Sequence, residues 1–211
     1  MQEIAVIGSG NVGGSLAIQL ARAGHSVTLC LRGEPSEKAQ AVIQEEPLVR
    51  SAQTVDAVAA ANVVLLATPS AVAVSTVETL QLDGKILIDC TNPVGPGLTH
   101  GLMSARSGSE LIAAAAQGAH VVKAFTVYGF ENFQNSAYPG YGDLLPAMPI
   151  AGDHPAAKEL VQLLCSELGF EGVDCGPLSM SLHLEHQTLL WVHMARLQGQ
   201  GTDLVWARLR R

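Results

Sequence analysis

A glycine-rich turn near the amino end constrains the fold of this chain more than any other feature. The segment Gly8–Gly13 carries three glycines in the spacing G-x-G-x-x-G. It follows the short β-branched run Glu3–Gly8 and precedes a helical pattern over Val12–Ala23, which Gly24 ends. This order of strand, tight turn and helix predicts the start of a βαβ unit.

Each glycine of the turn has its own predicted role. Gly8 permits the tight turn, Gly10 lets the backbone approach a pyrophosphate, and Gly13 allows close packing of helix against strand. The free backbone N–H groups that would face the anion belong to Ser9, Gly10, Asn11 and Val12. The turn therefore predicts a site for a nicotinamide dinucleotide, although a tight turn without a ligand is the structural alternative.

Strands alternate with helices along most of the chain. Further strands are predicted at His25–Arg32, Val63–Ala67, Lys85–Asp89, Val121–Phe125, Pro149–Gly152 and Glu171–Cys175. Helices are predicted at Pro35–Glu46, at Pro155–Leu168, and over most of Ser179–Arg208 with a break at Gly199–Gly201.

This alternation predicts the fold class α/β, with a Rossmann-type, doubly wound, mostly parallel sheet and a small C-terminal α/β extension ending in helices. We expect a dinucleotide-binding domain over residues 1–150. The extension, residues 151–211, is expected to carry the acceptor site and the dimer contacts.

Composition excludes several classes of function. The formal net charge is −7, from 12 Lys plus Arg against 19 Asp plus Glu, so nucleic acid is not an expected partner. The apolar stretch around Ala57–Ala67 is interrupted by Asn62 and no signal segment precedes the first strand, so we expect neither export nor membrane insertion. Four scattered cysteines favour a reducing, cytoplasmic compartment.

The end of the second predicted strand indicates which dinucleotide binds. An Asp or Glu there would bind the ribose 2′-hydroxyl of NAD, but the chain has Arg32, which favours the 2′-phosphate of NADP. Ser36 and Lys38 are close enough in sequence to help hold the same phosphate. A solvated arginine at a strand end is the alternative.

Two further segments follow strands and are expected to border the ribose and nicotinamide. They are Thr68-Pro69 and Asn92-Pro93, at the carboxyl edge where open α/β sheets bind ligands. The alternative is local: Thr68 as a helix N-cap with Pro69 at the first helical position, or an ordinary turn.

The sequence contains no recognised motif for metal binding or for catalysis by side chains. His183, His186 and His193 could share one helix face, but no carboxylate accompanies them in a known metal motif, so no metal is predicted. No nucleophile elbow or carboxylate pair stands out, and hydride transfer needs none, so no catalytic residue is predicted.

The chain resembles the deazaflavin-dependent NADP oxidoreductases over essentially its whole length. The residues that carry the resemblance are Gly8–Gly13, Arg32, Val121–Phe125, Ile150–Asp153 and Val173–Leu178. The same pattern is similar to the cytoplasmic reductase domain of the six-transmembrane ferric reductases. The resemblance implies NADPH bound at the turn, Arg32, Thr68-Pro69 and Ala124, and reversible hydride transfer to FMN, FAD or an 8-hydroxy-5-deazaflavin.

Two positions depart from the deazaflavin enzymes and leave the acceptor open. Leu31 stands where a serine is expected, and Phe125–Tyr128 replaces a His-Thr-Ile-Pro-like segment. Gly129–Pro149, with Tyr138 and Tyr141, either covers a planar acceptor or only packs itself.

Two alternative functions remain, together with a prediction about assembly. One is an NADPH-binding sensor without turnover. The other is an NADP-dependent dehydrogenase of a small carbonyl or imine, with Lys123 or His100 as proton donor. The apolar helical pattern of Leu189–Leu204 predicts a homodimer.

Overall fold

The computed structural model describes all 211 residues and contains one eight-stranded sheet. The strands are β1 Glu3–Ile7, β2 Ser26–Leu31, β3 Arg50–Gln53, β4 Val63–Leu66, β5 Ile86–Asp89, β6 His120–Lys123, β7 Ala147–Gly152 and β8 Glu171–Asp174. The helices are α1 Asn11–Arg22, α2 Glu37–Glu45, α3 Thr54–Ala60, α4 Ser70–Val77, α5 Gly108–Ala115, α6 Glu131–Gln134, α7 Pro155–Glu167 and α8 Ser181–Val192.

The order of strands in the sheet is β3-β2-β1-β4-β5-β6-β7-β8. Strands β1 to β6 are parallel, β7 runs antiparallel to β6, and β8 runs parallel to β7. This is the Rossmann-type, mostly parallel α/β fold that the sequence predicts. The carboxyl ends of β1, β2, β4, β5 and β6 therefore meet at one edge, which is where ligands bind in this class of sheet.

Apolar side chains fill both faces of the sheet. In β1, Ile4 and Val6 pack in one buried cluster and Ala5 and Ile7 in the other, because successive strand residues point to opposite faces. The predicted domain boundary at residue 150 falls within strand β7. This strand continues the sheet beside β6, with Lys123 paired to Ala151. The division into two domains stays a prediction.

The sequence prediction omits one strand and extends one helix too far. Strand β3 is an edge strand of mostly polar, exposed residues, and it gives no apolar signal in the sequence. The predicted break at Gly199–Gly201 is present: the helical segment ends with a π-helical turn, His193–Leu197, and Gly199 and Gly201 have φ of +69° and +94°, which a helix cannot accommodate. The helix predicted after the break, through Arg208, is wrong, because these residues run as irregular chain.

The tail after Gly201 packs as irregular chain. Its Trp206 carbonyl accepts a hydrogen bond from the N–H of Ala147 at 2.7 Å, and its Leu204 carbonyl accepts one from the Trp191 indole at 2.7 Å. These bonds hold the tail against β7 and α8. None of the helices has the length and apolar character needed to cross a membrane.

Candidate cofactor-binding site

The glycine turn joins β1 to α1, and two of its glycines are required by the fold itself. Gly8 has φ of +108°, and a Cβ there would lie 2.4 Å from the Ala67 carbonyl oxygen of the neighbouring strand segment. A Cβ at Gly13 would lie 1.9 Å from the carbonyl oxygen of Gly8. Any side chain at either position would therefore force the turn apart from β4 or from α1.

Gly10 differs from these two glycines. Its backbone is ordinary, with φ of −70°, and no atom of the protein lies within 4 Å of a Cβ built on it. The fold has no need of glycine there, but a ligand that approaches the backbone does. Helix α1 begins at Asn11 without a side-chain cap or an acidic residue in its first turn, so its N–H groups can receive an anion. The turn thus fits a dinucleotide pyrophosphate.

Arg32 lies directly after β2 and is exposed. Its Nη2 donates a hydrogen bond to the hydroxyl of Thr76 on α4 at 3.0 Å. The two side chains line a cleft of about 340 Å³ between α3 and α4, together with Thr54, Val72 and Ser75. The guanidinium is therefore held beside open space at the carboxyl edge, where an adenosine 2′-phosphate can reach it.

Ser36 and Lys38 lie on the other side of the same edge. The Ser36 hydroxyl caps α2 by accepting from the N–H of Ala39, and it lies 3.3 Å from the hydroxyl of Ser9. This contact links the start of α2 to the glycine turn. Lys38 is exposed on the first turn of α2 and forms no ion pair, so it is free to meet an anion but is not held in place.

Thr68 and Pro69 follow β4 and begin α4. Thr68 is not the N-cap of α4, which was the alternative to a role at the cofactor. The cap position is Pro69, and no side chain caps the helix. The Thr68 hydroxyl is buried and has no hydrogen-bond partner. What places the pair at the cofactor edge is the backbone: the carbonyl of Ala67, just before them, touches Gly8 of the turn.

Asn92 and Ala124 follow β5 and β6. The Asn92 amide donates to the carbonyl of Thr126 at 3.2 Å, and the Ala124 N–H donates to the carbonyl of Asp89 at 3.2 Å. Ala124 is buried, while Asn92 is half-buried. The side chain of Asn92 thus links the loops that follow β5 and β6. One N–H of its amide is engaged in this link, so a ligand could contact only the other amide atoms.

A closed network of charged side chains lies beneath these loops. The ammonium of Lys123 lies 3.0 Å from Asp89 Oδ2 and 3.3 Å from Glu185 Oε1, and it also donates to the carbonyl of Thr91. Lys123 and Asp89 are 0% exposed, and the Glu185 side chain is 1% exposed. This ammonium is therefore surrounded by oxygen atoms of the protein and shielded from solvent.

His100 completes the network. Its Nδ1 accepts from the backbone N–H groups of Leu102 and Ser104 at 3.3 and 3.1 Å, so the proton resides on Nε2. Nε2 then donates to Glu185 Oε2 at 2.8 Å. Since the His100 side chain is only 2% exposed, neither it nor Lys123 presents a proton to a substrate at the edge.

The aromatic loop forms an apolar groove with the tail. Tyr138 donates to Asn132 Oδ1, whereas Tyr141 is 67% exposed. Together with Leu144, Leu145 and Leu204, they line a groove of about 290 Å³. Tyr138 thus packs its own loop, and Tyr141 is the ring left open to a ligand.

The three late histidines are exposed along α8 and its continuation. His186 contacts the hydroxyl of Ser104 at 3.0 Å, and His183 and His193 face outward. No group of three or more His, Cys, Asp or Glu side chains is placed to hold a metal ion.

Sequence reasoning missed two threonines that hold the site together. Thr76 positions Arg32 from 44 residues away, and Thr188 on α8 contacts Asn92 and Thr126. Neither lies in a motif, and isolated threonines within helices carry no signal that could have identified them.

The sheet order and the glycine turn define the class of this chain: a Rossmann-type α/β protein whose carboxyl edge is shaped for a dinucleotide. Residues 3–93, from β1 to just past β5, match the model of the family described as "NADP oxidoreductase coenzyme F420-dependent".

Similar solved structures cover more of the chain. A protein from Arthrobacter sp. FB24, described as a "putative F420 dependent NADP-reductase", is 28% identical, with all of both chains covered and a TM-score of 0.86. A hypothetical protein from Sinorhizobium meliloti is 24% identical, with 100% and 97% covered and a TM-score of 0.77. A reductive aminase from Aspergillus terreus in complex with NADPH shares the fold at 19% identity, with 94% and 63% covered and a TM-score of 0.65.

These similarities confirm the predicted class of enzyme, an NADP-dependent oxidoreductase. The chain spans only 63% of the length of the reductive aminase, so that likeness concerns the shared fold. The resemblance to the ferric reductase domain stays a prediction.

Proposed function

We propose that the protein transfers hydride between NADP(H) and a flavin or 8-hydroxy-5-deazaflavin acceptor. The observation that carries the NADP half is the combination of open space over Gly10 with Arg32 held beside a cleft at the same edge. The first feature suits a pyrophosphate, and the second suits a 2′-phosphate.

The acceptor half is supported by a different observation. The chain has the length and fold of the Arthrobacter protein described as a "putative F420 dependent NADP-reductase". The groove beside Tyr141 offers an exposed aromatic ring and apolar walls, which suit a planar ring system.

The protein's task in such a reaction is binding and orientation. NADPH, when bound, supplies the hydride from its nicotinamide ring. The proposed ligands of the phosphates are the N–H groups of Ser9–Val12, with Arg32, Ser36 and Lys38 at the 2′-phosphate. The backbone around Thr68-Pro69, Asn92 and Ala124 would border the ribose and nicotinamide.

The small-carbonyl or imine alternative is disfavoured by the buried network. Such a reduction usually needs a proton donor near the nicotinamide. The two candidates, Lys123 and His100, are buried and already bound to carboxylates inside the protein. Hydride transfer to a flavin-like ring has less need of a catalytic side chain, because the acceptor ring is itself the redox group.

The direct test is anaerobic steady-state oxidation of NADPH with FMN, FAD and an 8-hydroxy-5-deazaflavin supplied side by side. Turnover with the deazaflavin alone supports the proposed acceptor class, and preference for FMN or FAD makes the protein a flavin reductase. Tight binding of NADPH without turnover of any acceptor would contradict the proposal and favour a sensor.

We also propose a homodimer, formed in the cytoplasm through the C-terminal helical segment. Leu190 and Leu197 are 53% and 67% exposed and lie seven residues apart, while Trp191 and Ala195 beside them are buried in the subunit. Both leucines are therefore large apolar side chains left open to solvent on α8 and on the π-helical turn that continues it. Light scattering at micromolar concentration should give twice the chain mass of 22.1 kDa, and a monomer mass would contradict the dimer.

A further inference from the structure

A threonine on α8 joins the two loops that follow β5 and β6. The Thr188 hydroxyl lies 3.0 Å from Asn92 Oδ1, 3.0 Å from the carbonyl oxygen of Thr126 and 3.1 Å from the carbonyl oxygen of Leu184 on its own helix, and it can donate to any one of the three. The Asn92 amide in turn donates to the same Thr126 carbonyl at 3.2 Å. Three elements distant in sequence thus meet at one buried point.

The segment held by this contact is strained. Phe125, just before Thr126, is a bulky non-glycine residue with φ of +55° and only 1% exposure. Such a conformation persists only where the surroundings impose it, and such residues cluster at ligand-binding sites. Phe133 packs edge-on against the Phe125 ring at 6.0 Å, so the ring is fixed from one side and the backbone from the other.

The position of α8 is itself fixed one turn earlier. Glu185 accepts from His100 at 2.8 Å and from the N–H of Gly108 at 2.9 Å, and it pairs with Lys123 at 3.3 Å. These contacts leave the helix little freedom beneath the loops. Thr188 is therefore presented to Asn92 and Thr126 by a rigid support.

We propose that Thr188 is a positioning residue for the nicotinamide half of the cofactor: through Asn92 and the Thr126 carbonyl it fixes the Ala124–Thr126 backbone. The inference rests on the proposed function, since it assigns the nicotinamide to that backbone. Thr188 itself is buried and acts through that backbone. Its effect should therefore fall on the nicotinamide half of NADPH and spare the adenosine half.

The test compares the affinities of NADPH and adenosine 2′,5′-bisphosphate, which lacks the nicotinamide, by calorimetry. Thr188→Val removes the hydroxyl at nearly constant volume and should weaken NADPH about three- to tenfold, the effect of one hydrogen bond. The bisphosphate should bind as to the wild type, and Thr188→Ser should restore NADPH binding. Turnover should show a fall in kcat beyond the change in KM.

The matched control is Ser181→Ala, on the same helix. The Ser181 hydroxyl is also buried but has no hydrogen-bond partner, so its loss should leave both affinities unchanged. Thermal unfolding of every variant shows whether it is folded. If the valine variant unfolds, Thr188→Ala, which also removes the hydroxyl, carries the test, and it should weaken NADPH while leaving the bisphosphate unchanged.

Several results would overturn the inference. Unchanged NADPH binding and turnover in Thr188→Val would do so, as would equal weakening of NADPH and the bisphosphate. Weakened NADPH binding in a folded Thr188→Ser variant would also do so. A wild-type protein that binds neither ligand would overturn the proposed function and this inference with it.

Discussion

The guanidinium of Arg32 donates to the hydroxyl of Thr76 across 3.0 Å, which joins the end of β2 to the last turn of α4. This contact orients an exposed cation over the cleft between α3 and α4. A charged group that is already oriented binds a phosphate at a lower entropic cost than a free side chain does.

Replacement of Arg32 should affect the affinity for NADPH much more than the affinity for NADH. Arg32→Ala removes a charge-assisted contact and should weaken NADPH about 10- to 100-fold while changing NADH little. Calorimetric titration measures both, with Arg50→Ala as the control, since Arg50 pairs with Glu3 at the opposite edge of the sheet. Equal losses for NADPH and NADH would show that Arg32 does not bind the 2′-phosphate.

Alanine substitutions at two glycines of the turn should have different effects, one on cofactor binding and the other on the stability of the fold. Gly10→Ala fits the backbone and meets no protein atom, so the fold should be unchanged, yet the new methyl group occupies ligand space and should weaken NADPH about tenfold or more. Gly13→Ala places a Cβ against the carbonyl of Gly8 and should lower the free energy of unfolding by about 1–3 kcal/mol. Denaturant unfolding and NADPH titration of both variants check this, and a destabilised Gly10→Ala with intact binding would refute it.

Because Lys123 lies in a buried network of charges, we expect its replacement to lower the stability of the fold. Its loss leaves the carboxylates of Asp89 and Glu185 buried without a cation, so Lys123→Met should lower the free energy of unfolding by about 3–5 kcal/mol. Lys158, whose side chain is 14% exposed, pairs with the more open Asp174, and Lys158→Met should cost less than about 1 kcal/mol. Similar losses in the two variants, measured by denaturant unfolding, would argue against a tightly coupled network.

Thiol chemistry should be slow in the folded protein. Burial raises the pKa of Cys30 to about 12 and also raises the pKa of Cys90 and Cys165, so the reactive thiolate is scarce at neutral pH. Iodoacetamide at pH 7 should leave these three thiols unmodified in native protein and modify them after denaturation, as mass spectrometry can show. Cys30 is half-buried, whereas Cys90 and Cys165 are buried, so rapid native modification of Cys30 would contradict its raised pKa.

The sequence predicts the first half of the fold well because local and global signals agree there. Strands β1, β4 and β5 are short apolar runs, and each is followed by a turn signal such as the glycine turn or Thr68-Pro69. The tail beyond the predicted break at Gly199–Gly201 looks helical because its apolar residues are periodic, but in the structure it packs as irregular chain, bonded through the carbonyls of Leu204 and Trp206.

The site was predictable in position but not in its supporting contacts. Parallel strands bring their carboxyl ends together, so Gly8, Arg32 and Thr68 could be assigned to one edge from their place after strands. Long-range pairs cannot be read in this way. His100 and Glu185 are 85 residues apart, and neither carries a motif that names its partner. The sequence therefore allows Lys123 and His100 as proton donors, whereas the structure buries both side chains.

NADP dependence is tested most directly by calorimetric titration of the wild-type protein with NADPH and with NADH. Arg32 beside the open cleft predicts that NADPH binds at least about tenfold more tightly than NADH. Equal affinities, or no binding of either cofactor, would contradict the assignment of this edge to NADP.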